Sequence, residues 1–265
     1  MAKVAAAVLT LVIAGDAARS KVHDVAVNAS ADSDPDIQIV NGRDAQACEF
    51  PYQISLAERG SPFCGGTLLN SRWVLTAAHC LGGRMDAVAG EHIVGASNSN
   101  RQTIRVSRQI PHPNYNSRDE DFDIALLEVN SAFNLNRCVR PLPLPTGRDV
   151  AAGTMCTISG WGVTSENGRP SRTLQTAQVR TMSNRDCSRN FGYSSNEITN
   201  SMVCANNRNN NGNIDACQGD SGGPLACNGR AFGAVSWGVG CARPNYPGVY
   251  ARSHFVLSWI QSNIR

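Results

Sequence analysis

The sequence lacks the features that mark several common classes of protein. It has no long basic block, and its formal net charge is only +3 with 17% charged residues, so we expect neither nucleic acid nor a membrane surface as the main partner. No stretch approaches the roughly 20 apolar residues that a membrane-spanning helix needs. No C-x-x-C pair occurs, and histidine and cysteine are not clustered at metal-ligand spacing, so we expect no zinc site.

The N-terminal residues have the pattern of an export signal. Lys3 precedes an apolar run from Val4 to Ala14, and Gly15 and Ala17 follow at positions suited to signal-peptidase cleavage. We therefore predict a signal peptide over residues 1–17 and a secreted, extracellular product. Residues 18–38 are polar and can bury little surface, so we interpret them as a flexible pro-segment.

The cysteine count agrees with export. The chain contains ten cysteines, and an even number in an exported chain indicates disulfide bonds, because oxidising compartments let them persist. We expect five bridges, which is half of that count.

Short apolar runs separated by turns begin at Ile39. With 24 glycines and 12 prolines, they favour an all-β fold, a sandwich or a barrel, over an α/β fold. Only the C-terminus has helical spacing, with Val256, Trp259, Ile260 and Ile264 on one face. The predicted strands include Tyr52–Leu56, Trp73–Ala78, Asp123–Val129, Thr157–Trp161 and Ala231–Trp237.

The first candidate catalytic residue is Ser221, in the segment D-A-C-Q-G-D-S-G-G-P-L from Asp215 to Leu225. Gly222 and Gly223 allow backbone conformations that a Cβ would forbid, and can hold a hydroxyl out of a tight turn. The alternative is a plain surface turn. Because serine is a weak nucleophile, the catalytic interpretation requires a base and a carboxylate elsewhere in the chain.

His79 is the candidate base, in L-T-A-A-H-C from Leu75 to Cys80. Taken alone, a histidine in such a segment is more often a packed core residue. The candidate carboxylate is Asp123, which leads into an apolar strand in D-F-D-I-A-L-L, or its neighbour Asp121. A buried acid needs partners. Spacing alone does not choose between the two acids.

Taken together, these motifs resemble the trypsin/chymotrypsin family of serine endopeptidases. T-A-A-H-C, D-I-A-L-L and G-D-S-G-G-P occur in the order of that family, and I-V-N-G, C-G-G-T-L, S-G-W-G, V-S-W-G and P-G-V-Y extend the resemblance from Ile39 to the C-terminus. The resemblance implies two packed six-stranded antiparallel β-barrels, a C-terminal α-helix, and a peptidase domain over residues 39–265. The site would lie in the cleft between the barrels.

The resemblance also implies the catalytic roles. His79 is then general base and acid, Asp123 its orienting carboxylate, and Ser221 the nucleophile. Asp123 is preferred to Asp121 because it directly precedes I-A-L-L. The N–H groups of Gly219 and Ser221 would form the oxyanion hole. Neither a cofactor nor a metal is implied.

Substrate specificity is predicted from the same resemblance. Asp215 matches the base of the primary pocket in trypsin-like members, although a capping or surface acid is the alternative; it would pair with Arg or Lys of the substrate. Ala216 replaces a common serine, which favours Arg over Lys. Glu120 resembles a residue of neighbouring subsites and either favours a basic residue there or is a solvated acid. The implied substrate-binding residues are Asp215, Ala216, Ser236, Trp237, Gly238 and Gly248.

The resemblance predicts a zymogen. Cleavage before Ile39 would free an α-amine that pairs with Asp220, and residues 18–38 would then be an activation propeptide. However, Gln38 stands where the family usually has Arg or Lys, so another protease or stepwise trimming is required. Two other hypotheses remain for the function: a narrow-specificity processing protease, and a catalytically inactive homologue that acts as a binding module.

Disulfide pairing follows from matching positions. The resemblance implies Cys64–Cys80, Cys156–Cys227, Cys187–Cys204 and Cys217–Cys241. Cys48 and Cys138 lie at no usual family position; we expect them to pair, with two free thiols as the alternative.

Calcium is not expected. Of the three acidic positions in the family's calcium loop, Glu91 is kept, but Asn98 and Arg101 stand at the other two. Calcium prefers several anionic oxygen ligands, and a cation in the loop opposes it.

We expect a monomer whose partners are protein or peptide substrates and protein protease inhibitors.

Overall fold

The computed structural model describes residues 39–165, 168–209 and 212–264. The predicted signal peptide, residues 1–17, and the predicted activation propeptide, residues 18–38, lie outside the described residues. None of the helices in the described part of the chain has the length and apolar character needed to cross a bilayer.

The first barrel is built from the N-terminal half of the described chain. Its six strands pair antiparallel and close in the order β2-β3-β4-β7-β6-β5. The strands are β2 (Gln53–Glu58), β3 (Ser61–Asn70), β4 (Trp73–Thr76), β5 (Asp86–Ala89), β6 (Gln102–Pro111) and β7 (Ala125–Val129). A preceding strand, β1 (Arg43–Asp44), pairs with the second barrel instead.

The second barrel contains the C-terminal half. Its strands pair antiparallel in the order β9-β8-β12-β13-β14-β10, and the pairing of β10 with β9 closes it. They are β8 (Met155–Gly160), β9 (Gln175–Met182), β10 (Met202–Asn209), β12 (Pro224–Cys227), β13 (Arg230–Trp237) and β14 (Gly248–Arg252), with β11 (Gly212–Ile214) added beside β10. The predicted all-β fold of two six-stranded barrels is confirmed.

The cores explain why these segments form strands. Each barrel encloses its own cluster of buried aliphatic side chains, among them Leu56 and Leu127 in the first and Ile158 and Leu225 in the second. A third cluster lies between the barrels and joins residues of both, including Leu75, Leu126 and Ala251. The barrels therefore pack face to face, and the turns at their junction are held in fixed relative positions.

The C-terminal helix, α2 (Leu257–Asn263), lies where the sequence predicts it, and its buried Ile260 joins the cluster between the barrels. The expectation that only the C-terminus is helical is wrong, since α1 spans Asn184–Asn190. Only Cys187 of that helix is buried, so it has no apolar periodicity to detect. The available signal was its N-cap, Ser183, whose hydroxyl accepts the N–H of Asp186.

Candidate active site

His79 and Asp123 meet at the junction of the barrels. His79 lies in a 3₁₀ helix (Ala78–Cys80) that follows β4, and Asp123 lies two residues before β7, the strand paired with β4. The ring Nδ1 is 2.7 Å from Asp123 Oδ2, and the backbone N–H of His79 donates to Oδ1 at 2.9 Å. Both carboxylate oxygens are thus directed at one residue.

The second barrel also contacts this carboxylate. The hydroxyl of Ser236, on β13, donates to Asp123 Oδ2 at 2.6 Å, and Asp123 is fully buried. Burial alone would lower the pKa of His79. The hydrogen bond and charge of Asp123, together with the charge of Glu120, outweigh burial and raise the pKa of His79 above its usual value. The pair therefore stabilises the imidazolium form.

Asp121 has a different set of contacts. Its carboxylate accepts hydrogen bonds from the hydroxyls of Thr199 and Ser201 in the second barrel and from the N–H of Phe122. Phe122 has φ of 52°, and Glu120 has φ of 50°, a region that non-glycine residues rarely adopt. Asp121 thus ties the strained turn before Asp123 to the opposite barrel. No local pattern in the sequence indicates this role, because the hydroxyl partners are 78 and 80 residues away.

Ser221 is held against the segment that carries His79. Its carbonyl accepts the N–H of Gly65, and the neighbouring Cys64 is bonded to Cys80. The next residue, Gly222, has φ of 76°, and a Cβ there would lie 3.0 Å from the nitrogen of Ala77. Only glycine fits this approach, so the Ser221 turn packs beside the strand end that leads to His79.

The N–H groups of Gly219 and Ser221, the predicted oxyanion-hole donors, belong to one tight turn. Gly219 has φ of 94°, and the turn is closed by the N–H of Asp220 on the carbonyl of Cys217 and that of Gly223 on the carbonyl of Asp220. Within the described residues the N–H groups of Gly219 and Ser221 have no acceptor. They are available to an oxyanion at the Ser221 turn.

A slot of about 190 Å³ opens beside Ser221. Asp215 lies at its buried end, and Ala216, Ser236, Trp237, Gly238 and Gly248 line it. A Cβ on Gly248 would lie 2.3 Å from Asp215 Oδ1, so a side chain there would cover the carboxylate. The structure therefore brings together all six residues that the sequence assigns to substrate binding, although the Ser236 hydroxyl points to Asp123.

Asp215 is a buried carboxylate with an unused oxygen. Oδ2 accepts the N–H of Ala242 at 3.2 Å, but Oδ1 has no hydrogen-bond partner among the described residues. Burial, opposed in part by the N–H groups of Ala242 and Ala216, raises the pKa of Asp215 to about 7. A cation that enters the slot would satisfy Oδ1 and favour the ionised carboxylate.

Asp220 is also buried, on the other side of the Ser221 turn. Its carboxylate accepts the N–H groups of Gly162 and Cys217, and burial raises its pKa to about 6. Ile39 is completely buried in the core of the second barrel. The adjacent Val40 packs against Val163 and Cys217, so the start of the domain lies beside the residues that surround Asp220.

All ten cysteines are bonded. The structure contains Cys64–Cys80, Cys156–Cys227, Cys187–Cys204 and Cys217–Cys241, and it joins Cys48 to Cys138. Cys217–Cys241 forms part of the wall of the slot. Cys64–Cys80 fixes the residue next to His79, so two bridges stabilise the site directly.

Two groups of described residues come close enough together to be considered as metal ligands. One contains Cys64, His79 and Cys80, but the two cysteines are bonded to each other and have no thiolate to offer. The other contains His79, Glu120 and Asp123, in which the histidine and Asp123 already share a hydrogen bond. Neither group is a vacant set of ligands.

The loop after β5 holds an ion pair where the family's calcium position would lie. The Arg101 guanidinium Nε is 2.9 Å from Glu91 Oε1, and the Glu91 side chain is 2% exposed. The Asn98 amide donates to the carbonyl of Gly90 at 2.7 Å. An arginine of the chain thus neutralises the buried acid and links the two ends of the loop.

We predict that Arg101→Ala lowers the free energy of unfolding by about 1–3 kcal/mol, because Glu91 loses its counter-ion while Arg101 itself is only partly buried. Thermal unfolding of the Ser221→Ala background, which cannot digest itself, measures the effect. The double change Arg101→Ala with Glu91→Gln should recover part of the loss. Millimolar calcium should leave the wild-type midpoint unchanged; a rise of several degrees on adding calcium would refute this account of the loop.

Known proteins resemble this chain over both barrels. The family model described as Trypsin matches residues 39–260. Trypsin-2 of Salmo salar is 43% identical over 229 residues, which are 86% of this chain and 96% of that protein. Trypsin of Sus scrofa is 43% identical over 234 residues, 88% and 98% of the two chains, and trypsin of Xenopus laevis 42% over 241 residues, 91% and 96%.

Two antiparallel barrels with a histidine–carboxylate pair and a serine turn at their junction define a chymotrypsin-like peptidase fold. The match over most of the chain is more specific: this protein belongs to the trypsin family. It is a trypsin-like serine endopeptidase that acts on protein or peptide substrates.

Proposed function

We propose that this endopeptidase is secreted as a zymogen, is activated by cleavage before Ile39, and cuts after Arg in preference to Lys. Ser221, His79 and Asp123 carry the reaction. The observation that supports the specificity most strongly is Asp215, a buried carboxylate with a free oxygen at the end of a slot beside Ser221.

The chemistry follows from the contacts of His79. Because Nδ1 donates to Asp123, the neutral ring presents an unprotonated Nε2, which can remove the Ser221 proton as its oxygen attacks the substrate carbonyl. Asp123 accepts the hydrogen bond from Nδ1 and stabilises the imidazolium, which then protonates the leaving amine. The N–H groups of Gly219 and Ser221 stabilise the oxyanion; losing one such donor typically costs about 100- to 1,000-fold in rate.

The preference for Arg rests on the shape of the slot end. A guanidinium presents five N–H donors in a planar fork and can satisfy Asp215 while reaching the surrounding backbone carbonyls. An ammonium is a compact charge that needs short-range acceptors close to the carboxylate. Ala216 offers no hydroxyl there. The ammonium of Lys therefore lacks a hydrogen-bond acceptor that it needs more than the guanidinium of Arg does, and Lys should bind more weakly.

Activation is supported by the surroundings of Asp220. Its carboxylate is completely buried and, among the residues that the structure describes, accepts hydrogen bonds only from backbone N–H groups, so its ionised form is poorly stabilised. A free α-amine on Ile39 would supply a cation beside the Ser221 turn and lower the pKa of Asp220. Because Gln38 precedes Ile39, the activating cut is expected from a protease that does not require a basic residue.

Secretion is supported by the export pattern of residues 1–17 and by the five disulfide bonds. The proposed partners are protein or peptide substrates and protein protease inhibitors that occupy the same slot. A monomer is proposed for the active form.

Digestion of an unfolded protein of known sequence tests the proposal. The chain beginning at Ile39 is incubated with the substrate, and the new C-termini are identified by mass spectrometry over time. We expect cuts after Arg to appear about tenfold faster than cuts after Lys, and no early cuts after apolar residues. Early cuts after Phe, Leu or Ala would contradict the assignment of Asp215 to the slot.

A further inference from the structure

The turn that carries Asp123 is attached to the second barrel at two separate points. The Asp123 carboxylate accepts the hydroxyl of Ser236, on β13, at 2.6 Å. Two residues earlier, the Asp121 carboxylate accepts the hydroxyls of Thr199, at 2.7 Å, and Ser201, which both lie just before β10. The first attachment involves the orienting carboxylate itself. The second involves an acid that the reaction does not use.

The two hydroxyls that bind Asp121 are held firmly within the second barrel. Ser201 is buried, and its carbonyl accepts the N–H of Arg252, on β14, at 2.7 Å. The carbonyl of Thr199 accepts the side-chain amide of Asn184, in α1, at 2.6 Å. The hydroxyl oxygens of Thr199 and Ser201 are 2.9 Å apart and share a hydrogen bond. Together they form a fixed anchor for the Asp121 side chain.

The anchor stabilises a backbone conformation that the turn would not adopt by itself. Glu120 and Phe122, on either side of Asp121, have φ of 50° and 52°, in the left-handed region that residues with a Cβ rarely occupy. The N–H of Phe122 is directed at both Asp121 Oδ1, at 3.0 Å, and the Ser201 hydroxyl, at 3.2 Å. Such conformations persist only where the surrounding structure imposes them. Without the anchor, the turn is expected to relax.

Asp123, the residue after Phe122, tolerates little displacement. Its Oδ2 lies 2.7 Å from the ring Nδ1 of His79 and accepts the Ser236 hydroxyl, while its Oδ1 accepts the backbone N–H of His79 at 2.9 Å. A shift of about 1 Å would lengthen these contacts beyond hydrogen-bond distance. The imidazole would then lose the partner that fixes its orientation.

The anchor requires an acceptor oxygen and does not require a charge. All three donors to the Asp121 carboxylate, the two hydroxyls and the N–H of Phe122, are directed at Oδ1. Oδ2 has no hydrogen-bond partner among the described residues. An asparagine could keep the same acceptor at Oδ1 and place its amide nitrogen where Oδ2 lies. The chain therefore offers a conservative variant that separates geometry from charge.

We propose that Asp121 is a positioning residue of the reaction: by binding the hydroxyls of Thr199 and Ser201 it holds Asp123, and through Asp123 the ring of His79, in the catalytic arrangement. The proposal rests on the proposed catalytic roles of His79 and Asp123. It adds a residue that contacts neither the substrate nor His79 and acts on the rate through the turn alone.

The test measures kcat and KM of the chain beginning at Ile39 on a peptide amide that ends in Arg. We expect Asp121→Ala to lower kcat by about 10- to 100-fold, because small displacements of catalytic groups have effects of that size. KM should change by less than about twofold, since the slot that ends at Asp215 is untouched. Asp121→Asn, which keeps the acceptor, should retain kcat to within about threefold of the wild type.

The pH profile separates positioning from a simple loss of stability. Asp123 and Glu120, both negatively charged, raise the pKa of His79. If the turn relaxes, that pKa falls and the ring stays neutral at lower pH. The acid limb of kcat/KM should therefore shift to lower pH in Asp121→Ala and stay in place in Asp121→Asn. Partial unfolding would reduce the amount of active enzyme without moving the limb.

The partner on the second barrel supplies an independent variant. Ser201→Ala should lower kcat in the same direction, and should add little to the effect of Asp121→Ala, because both changes remove one shared contact. Ser107→Ala is the matched control: its hydroxyl donates to a backbone carbonyl, that of Glu128, within the first barrel, and kcat should not change. Unfolding midpoints in the Ser221→Ala background show that each variant is folded at the assay temperature.

Unchanged kcat and an unmoved acid limb in Asp121→Ala and Ser201→Ala, with efficient cleavage after Arg by the wild type, would overturn this inference and leave the proposed function intact. An asparagine variant as slow as the alanine variant would overturn it as well, because the hydrogen bonds to Oδ1 would then not be what matters. If the wild type cleaved no peptide, the proposed function would fail and this inference with it.

Discussion

Asp215→Asn is expected to lower kcat/KM on an Arg peptide amide by about a thousandfold. The asparagine has the same shape but no charge, and removing one partner of a buried, hydrogen-bonded charge pair typically costs about 2–5 kcal/mol. The substrate guanidinium would then be buried without a counter-ion. Because Asp215 does not contact the catalytic pair, the rate at which a sulfonyl fluoride modifies Ser221 should hardly change.

The same variant should unfold at a higher temperature at pH 8. The pKa of Asp215 is raised from 3.8 to about 7, so the folded state holds the proton more tightly than the unfolded state. The free energy of unfolding therefore falls as the pH rises from about 4 to about 7, and the whole of this loss is present above about pH 7. Asparagine does not ionise, so the variant avoids this loss of stability. A drop of less than tenfold in kcat/KM, or a lower unfolding midpoint at pH 8, would contradict the assignment of Asp215.

Acetylation of the Ile39 α-amine is expected to abolish nearly all activity, by about a thousandfold. An acetylated amine is neutral and leaves Asp220 buried without a cation, which would release the Ser221 turn from its active conformation. This chain allows a clean experiment, because its only lysines, Lys3 and Lys21, precede Ile39. In the chain beginning at Ile39, the α-amine is the only primary amine.

The rate of acetylation should depend on the protonation state of the Ile39 α-amine. An α-amine has a reference pKa near 8, and the proposed pairing with Asp220 would raise it, so modification should be slow at neutral pH and faster at high pH, where the charge is lost. Mass spectrometry counts the acetyl groups, and the unfolding midpoint of acetylated Ser221→Ala shows whether the fold survives. A singly acetylated protein that retains its activity would refute the role given to Ile39 and Asp220.

Much of the site could be predicted because it depends on short motifs. The glycines after Ser221 and the small residues before His79 are visible in the sequence, and the structure gives their reason: Gly222 packs within contact distance of Ala77. The pattern of short apolar runs likewise predicted strands such as β13 (Arg230–Trp237), whose residues are mostly buried.

The rest depends on contacts between distant residues, which no local pattern records. Spacing could not choose between Asp121 and Asp123, and only the fold shows that one contacts Thr199 while the other contacts His79. The Ser236 hydroxyl reaches Asp123 over 113 residues of sequence. Glu120 and Glu197 likewise line one cleft, although they come from different barrels.

Central to the proposed function is cleavage by Ser221 beside a slot that ends at Asp215. The direct test is kcat/KM of the chain beginning at Ile39 on matched peptide amides that end in Arg, Lys, Phe or Ala, with Ser221→Ala as the blank. We expect strong cleavage after Arg, weaker cleavage after Lys, and none above the blank after Phe or Ala. Cleavage led by Phe or Ala, or equal activity in the Ser221→Ala blank, would contradict it.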